Sequence, residues 1–367
     1  MIIKKAELFL LDMPLKFTFK TSQTSLDRRE TIILKVTDES GNTGYGEVVA
    51  FSDPFYTSET LADAKRLLLE TYLPRLLQEE TVHPFDIHAW LDRAYPMTGA
   101  GVENALLDVY ARRQDIPVMA AVFLEETNTQ IEAGMVLGDL DSAGLLKQIE
   151  QYLQEGYVRF KIKIKPQDGF AKLNMIRTAY PYLKLLADAN RSFRSEHIPE
   201  LMKIDGLGLL CLEEPLAEAE LTDYQKLQAE MQTPVCLDES ILNVADLEKA
   251  IELKACRALN IKTGRVGGLF YVRQMIELCR KHHIYYWIGS MVESGISKIL
   301  HVHLASLKDT YIPGDLSPSQ RYFPQDIIRP EVTVQNGRIE VPRGPGLGIA
   351  VDENILADYT VEHHIFA

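Results

Sequence analysis

Three acidic residues, Asp188, Glu213 and Asp238, each close a short apolar run: LLADAN at 185–190, LLCLEEP at 209–215 and PVCLDES at 234–240. They recur every 25 residues, and lysines extend the series in both directions. Lys262 ends LNIKTG at 259–264, 24 residues after Asp238. Lys163, in YVRFKIKIKP at 157–166, stands 25 residues before Asp188 and shares its run with Lys161. Carboxylates are the hard oxygen ligands that a divalent ion such as Mg²⁺ prefers. Crowded together without a cation they repel one another, and their pKa values rise. Lysines on either side of a metal-bound carboxylate suit removal and return of the proton next to it. At least one lysine must then be neutral near pH 7, and nearby cations (Lys161, Arg265, the metal) are expected to lower its pKa. The alternative is that the acids and lysines neutralise one another in salt bridges with no metal. Composition does not separate Glu213 from Glu214 as the ligand, although the equal spacing favours Glu213.

An apolar strand followed by a helix, repeated every 25 residues, is the unit of a parallel β/α barrel. Side chains at the strand C-termini converge there on one mouth. Strand candidates occupy 131–138, 157–164, 183–190, 207–215, 234–240, 257–264 and 284–291, with a shorter eighth at 309–316. Helical patterns fill the gaps, for example at 222–232, 244–255 and 269–283. No glycine-rich dinucleotide fingerprint follows the first strand, which argues against an open doubly wound sheet. Residues two apart in a strand face the same way, so Lys161 and Lys163 share one side. Phe160, Ile162 and Ile164 take the other side, against the helices, and the lysines therefore point into the barrel.

Residues 1 to about 55 read as an antiparallel meander. An apolar run at 2–12 precedes a polar loop at 18–30, and strands at 31–36 and 43–51 flank the turn 38–42. Helical patterns follow at 57–80, 84–95 and 101–114. Strands followed by helices suggest a separate α+β domain over 1–125, ahead of a barrel over 126–320. The tail, 321–367, is too long for a barrel terminus and is expected to return to the first domain. The loops 18–30 and 51–56 either close over the barrel mouth or are ordinary surface loops.

A net charge of −13 over 367 residues argues against a nucleic-acid partner. No apolar run reaches bilayer-spanning length, so no membrane partner is expected, and the N-terminus lacks a signal-peptide pattern. Cys211, Cys236, Cys256 and Cys279 show no CxxC spacing and read as reduced core residues of a cytoplasmic protein. His301 and His303 are expected to be structural, and GRVGG at 264–268 reads as a tight turn between strand and helix.

Taken together, Lys161-Ile162-Lys163, Asp188-Ala189-Asn190, Glu213-Glu214-Pro215, Asp238-Glu239-Ser240 and Asn260 to Gly268 resemble the enolase superfamily, muconate-lactonising subgroup. The resemblance spans nearly the full length. It implies an α/β fold, a modified TIM barrel (β/α)₇β with an α+β N-terminal capping domain completed by the C-terminal tail. It implies Mg²⁺ on Asp188, Glu213 and Asp238, and catalytic lysines at 163 and 262. Lys161, Asn190, Glu239 and Arg265 would line the site of a small-molecule carboxylate substrate, Lys161 contacting its carboxylate and Asn190 and Glu239 standing behind the metal ligands. Segments 289–296, 314–327 and 344–349 look most like the o-succinylbenzoate synthases of the Gram-positive branch. That implies dehydration through an enediolate in menaquinone biosynthesis, with N-acylamino acid racemisation as the alternative or second activity. Dipeptide epimerases carry an acidic pair near the eighth strand, whereas here Asp315 is followed by Leu316-Ser317. A catalytically silent barrel is the remaining reading, and a homo-oligomer is expected.

Overall fold

The computed structural model describes residues 1–20, 24–138, 140–217 and 219–367. Strand Ile3–Lys20 pairs antiparallel with Ser25–Asp38, and Ser25–Asp38 with Thr43–Val48. The C-terminal strand Thr360–Phe366 returns to this sheet and pairs with residues 6–11.

The polar stretch 18–30 is not a loop but mostly the two arms of this hairpin, with Phe19 opposite Leu26 and Lys20 opposite Ser25. Strand alternation explains this: Phe17, just before the stretch, and Phe19 lie two residues apart, and both pack on the Tyr322 ring, at 5.9 and 6.3 Å. Residues 21–23 of the expected loop lie outside the described residues.

Of the helix expected at 57–80, residues 61–78 form one continuous helical run. Thr60 caps it by accepting from Asp63 N, and a single π turn, Leu68–Tyr72, joins the helices Leu61–Leu67 and Leu73–Gln78. The helix expected at 84–95 is only a short turn, Asp86–Ala89. Pro96 opens the next helix, Pro96–Arg113, and disfavours helical backbone at Tyr95, while Asp92 folds back on Ala94 N.

The sheet meets helix Pro96–Arg113 through glycines. A Cβ at Gly46 would stand 2.1 Å from Gly101 O and 2.6 Å from Ala105 N, both backbone atoms. Gly46→Ala is therefore expected to cost about 3 kcal/mol in urea unfolding, because the two backbones must separate. A loss below about 1 kcal/mol would show the helix free to move away.

Seven parallel strands make the second sheet: Gly134–Leu137, Arg159–Lys163, Lys184–Asp188, Leu212–Glu213, Val235–Leu237, Ala258–Ile261 and Tyr285–Ile288, neighbours in chain order. Phe160, Ile162 and Ile164 join the large core beneath the helices. Leu186, Cys211, Cys236, Ala258, Trp287 and Ile312 fill a separate core inside the curl. The expected eighth strand is irregular. Tyr311 N donates to Tyr286 O (2.9 Å), Asp315 N to Ile288 O (3.1 Å) and Gly134 N to Gly314 O (3.0 Å), which closes the seventh strand onto the first. Pro313 has no N–H to give, so this edge cannot form a regular ladder.

Two carboxylates of the N-terminal part cap barrel helices. Glu47 accepts from Ser294 N (2.9 Å) and Ser297 N (3.2 Å) at the start of Gly295–Ala305, and Glu103 from Phe270 N (3.0 Å) at the start of Leu269–His282. His301 pairs with Glu293 and His303 bonds Leu347 O, so both are held inside the fold. Gly267 and Gly268 take φ of 95° and 109° at the turn before Leu269. All four cysteines are buried and free. Among the described residues, no helix is long and apolar enough to cross a membrane.

Candidate active site

Alternation in the second barrel strand places Arg159, Lys161 and Lys163 on the inner face. Lys161 is buried, with Nζ 3.0 Å from Asp188 Oδ2, 2.8 Å from Glu213 Oε2 and 2.8 Å from Asp315 Oδ2. Lys163 ends the strand with its side chain 35% exposed, its Nζ 2.6 Å from Asp188 Oδ2 and bonded to Asn190 Oδ1. Asn190 Nδ2 in turn donates to Glu239 Oε1 (3.1 Å). Lys262, just past the sixth strand, places Nζ 2.7 Å from Asp238 Oδ2 and 3.1 Å from Tyr56 Oη. Arg265 donates to Asp238 Oδ1, to Tyr56 Oη (2.8 Å) and to Asn260 O (2.9 Å).

Glu213 and Glu214 separate by direction. Glu213 turns inward beside Asp188 and accepts from Asn260 Nδ2 (2.8 Å). Glu214, with φ of 41°, accepts from Tyr224 Oη (2.9 Å), Arg191 Nε (3.2 Å), Ser240 Oγ and Asp238 N (2.7 Å). Its oxygens are engaged in holding the segment 238–240.

Asp188, Glu213 and Asp238 thus lie at neighbouring strand ends, drawn toward ammonium groups. As these side chains lie, no three His, Cys, Asp or Glu among the described residues stand in ion-holding geometry. The donor set nevertheless suits a hard divalent ion. Glu213 Oε2 is 2.8 Å from Lys161 Nζ yet outside hydrogen-bond geometry, which leaves it buried without a donor. Burial, reinforced by the Asp188 charge, pushes the Glu213 carboxyl up to about 8. The positive charge around it is therefore short of what an ionised carboxylate needs, and a divalent cation there would supply the difference.

Burial and the Asp238 charge likewise push Glu239 up to about 7. Asp238 itself is held below the usual carboxylate range, because Arg265, Lys262 and Lys161 outweigh the cost of burying it. The expectation that neighbouring cations lower the Lys262 pKa is not met. Burial does act that way, but Asp238 and Tyr56 outweigh it together with Arg265, and Lys262 stays above the ordinary lysine value.

Three further groups complete the cluster. Asp315, from the irregular eighth segment, is bridged by Arg159 Nη1 (2.8 Å) and Lys161; these cations outweigh burial and hold it at about 2. Asn260 stands two residues before Lys262, and the inward period of two marks it out. Tyr56 belongs to segment 51–56, which does reach the mouth; nothing in its local sequence names its partners.

The N-terminal domain model of the mandelate racemase / muconate lactonizing enzyme family matches residues 5–121, and the enolase C-terminal domain-like model matches 144–355. The o-succinylbenzoate synthase of Bacillus subtilis (strain 168) is 40% identical over 366 residues, covering 99% of this chain and 98% of its own. The N-succinylamino acid racemase of Thermus thermophilus is 37% identical over 352 residues, covering 95% of each chain. A solved enolase-superfamily member from Listeria innocua superposes with a TM-score of 0.95 at 33% identity, over 100% of this chain and 99% of its own. With strand ends that gather three carboxylates and two lysines, and a match over nearly its whole length, the chain belongs to the mandelate racemase / muconate lactonizing enzyme family of the enolase superfamily.

Proposed function

We propose that this enzyme is an o-succinylbenzoate synthase, a hydro-lyase that dehydrates 2-succinyl-6-hydroxy-2,4-cyclohexadiene-1-carboxylate in menaquinone biosynthesis, with N-succinylamino acid racemisation as a second activity. The carrying observation is the placement of Lys163 and Lys262. They end strands four apart in a closed eight-segment ring, and so face each other across the carboxylate cluster. The relatives named o-succinylbenzoate synthase support the first activity and those named N-succinylamino acid racemase the second.

Superfamily members depend on a divalent metal, and we infer Mg²⁺ held by Asp188, Glu213 and Asp238. When bound, it supplies the positive charge that makes the proton beside the substrate carboxylate removable. Lys163 Nζ takes that proton as general base, and the C–H electrons pass into the carboxylate as an enediolate. Collapse of the enediolate forms the ring double bond and expels the hydroxyl. If that hydroxyl leaves from the face that lost the proton, Lys163 returns the proton to it and water departs. Lys262, on the far face, remains protonated and stabilises charge, in keeping with its raised pKa. Lys161 would contact the substrate carboxylate. Asp315 is occupied by Arg159 and Lys161 and has no acidic partner two residues on, which disfavours an ammonium-bearing dipeptide substrate.

The test supplies the cyclohexadiene substrate and, separately, an N-succinylamino acid, each with Mg²⁺ and with chelator. Formation of o-succinylbenzoate together with slower racemisation is expected, both lost on chelation. Vigorous racemisation without o-succinylbenzoate would make the racemase the function. No α-proton exchange in either substrate would leave a binding protein.

A further inference from the structure

The two lysines are held differently. Among the described residues, Lys163 Nζ donates to two acceptors, Asp188 and Asn190, both from the barrel. Lys262 has, among the described residues, one barrel acceptor, Asp238, and one from the N-terminal part, the Tyr56 phenol. That single oxygen accepts from Lys262 Nζ (3.1 Å) and from Arg265 Nη1 (2.8 Å), and the Lys262 Nζ lies 5.2 Å from the Tyr56 ring centre.

Tyr56 is itself fixed from its own side of the molecule. Its ring meets Phe51 edge-on at 6.1 Å, and the Arg29 guanidinium lies over Phe51 at 4.3 Å. Buried Arg29 donates to Val49 O (2.6 Å) and Ala50 O (3.0 Å), tying the segment to the N-terminal sheet. A long, flexible lysine keeps several rotamers unless two directions hold it. Asp238 supplies one direction and the phenol the other.

We propose that Tyr56 is a positioning residue for Lys262 alone, through which the N-terminal part sets proton transfer on one face of the substrate and not the other. The inference rests on the two-lysine reading above and extends it to a residue outside the barrel. A tyrosine that only filled space would lose little on removal of its hydroxyl alone.

The test follows α-proton exchange in D₂O from each enantiomer of N-succinylphenylalanine, with Mg²⁺ present. The enantiomer still exchanged by Lys163→Ala is the one whose proton faces Lys262. Tyr56→Phe keeps the ring and removes the hydroxyl, and is expected to slow exchange of that enantiomer about tenfold, the usual effect of a hydrogen bond to a charged group. Exchange of the other enantiomer should change by less than about twofold, well short of that effect. Tyr56→Leu, which also removes the ring, should deepen the loss on the Lys262 face. Thermal melts of both variants check that the fold persists. Equal slowing on both faces, or slowing on neither, overturns the inference. A wild-type enzyme that exchanges neither enantiomer overturns the functional reading and takes the inference with it.

Discussion

Lys163→Ala is expected to eliminate o-succinylbenzoate formation, lowering turnover by about 10³-fold or more, whereas Lys262→Ala impairs it less. The asymmetry follows from the number of protons each lysine must move. With proton and hydroxyl leaving from one face, Lys163 serves as base and then as acid, and no other described lysine shares its position. Lys262 contributes charge from the far face, where Arg265 remains beside Asp238 after the substitution. Racemisation removes this asymmetry, because the proton leaves one face and returns to the other. Each single variant should therefore lose racemisation of an N-succinylamino acid while still exchanging deuterium into one enantiomer. Steady-state dehydration and enantiomer-resolved exchange on the same three proteins make the check. Equal loss of dehydration in both variants would mean that the hydroxyl leaves from the face opposite the proton.

Much of this site can be read in the chain because its parts obey simple periods. The alternation Arg159-Phe160-Lys161-Ile162-Lys163 has one reading in a covered parallel strand: apolar residues to the helices, cations to the axis. The 25-residue recurrence carries Asp188, Glu213 and Asp238 to neighbouring strand ends for the same reason. What escapes depends on partners distant in sequence. Asp315 lies in an irregular closing segment, where period two does not operate, and Arg159 reaches it across 156 residues. Tyr56 meets Lys262 across 206. Stretch 18–30 looks like a loop because polar residues outnumber its one phenylalanine, Phe19, which packs with the preceding Phe17 on Tyr322. The sign of the Lys262 shift depends on which neighbour stands nearer. Proximity to Arg265 suggests lowering, but the close Asp238 and Tyr56 oxygens prevail together over that charge and burial.

Two of the three carboxylates should separate metal affinity from stability in opposite ways. Asp238→Asn and Glu213→Gln each remove a charged oxygen ligand, and both are expected to weaken Mg²⁺ binding at least about 100-fold, abolishing activity at millimolar metal. Their effects on the metal-free protein should differ. Asp238 is held ionised by Lys262 and Arg265, so Asp238→Asn leaves two buried cations short of their counterion, a loss of about 3–5 kcal/mol. Glu213 is the reverse. Its carboxyl, raised to about 8, binds a proton in the folded protein that the unfolded chain has already released near pH 4.5. Its contribution to stability is complete below about pH 4.5 and is lost as pH rises toward 8, since the folded state binds more protons over that window. Glutamine resembles the protonated acid, so Glu213→Gln should leave the chelated protein at least as stable as wild type near pH 7. It should also flatten the fall in stability between about pH 4.5 and 8. Urea unfolding in chelator across this range, with Mg²⁺ titrations followed by thermal shift, measures both quantities. If Glu213→Gln destabilises the chelated protein as much as Asp238→Asn does, Glu213 is an ionised partner of Lys161. The charge deficit that makes this cluster fit a divalent cation would then be absent.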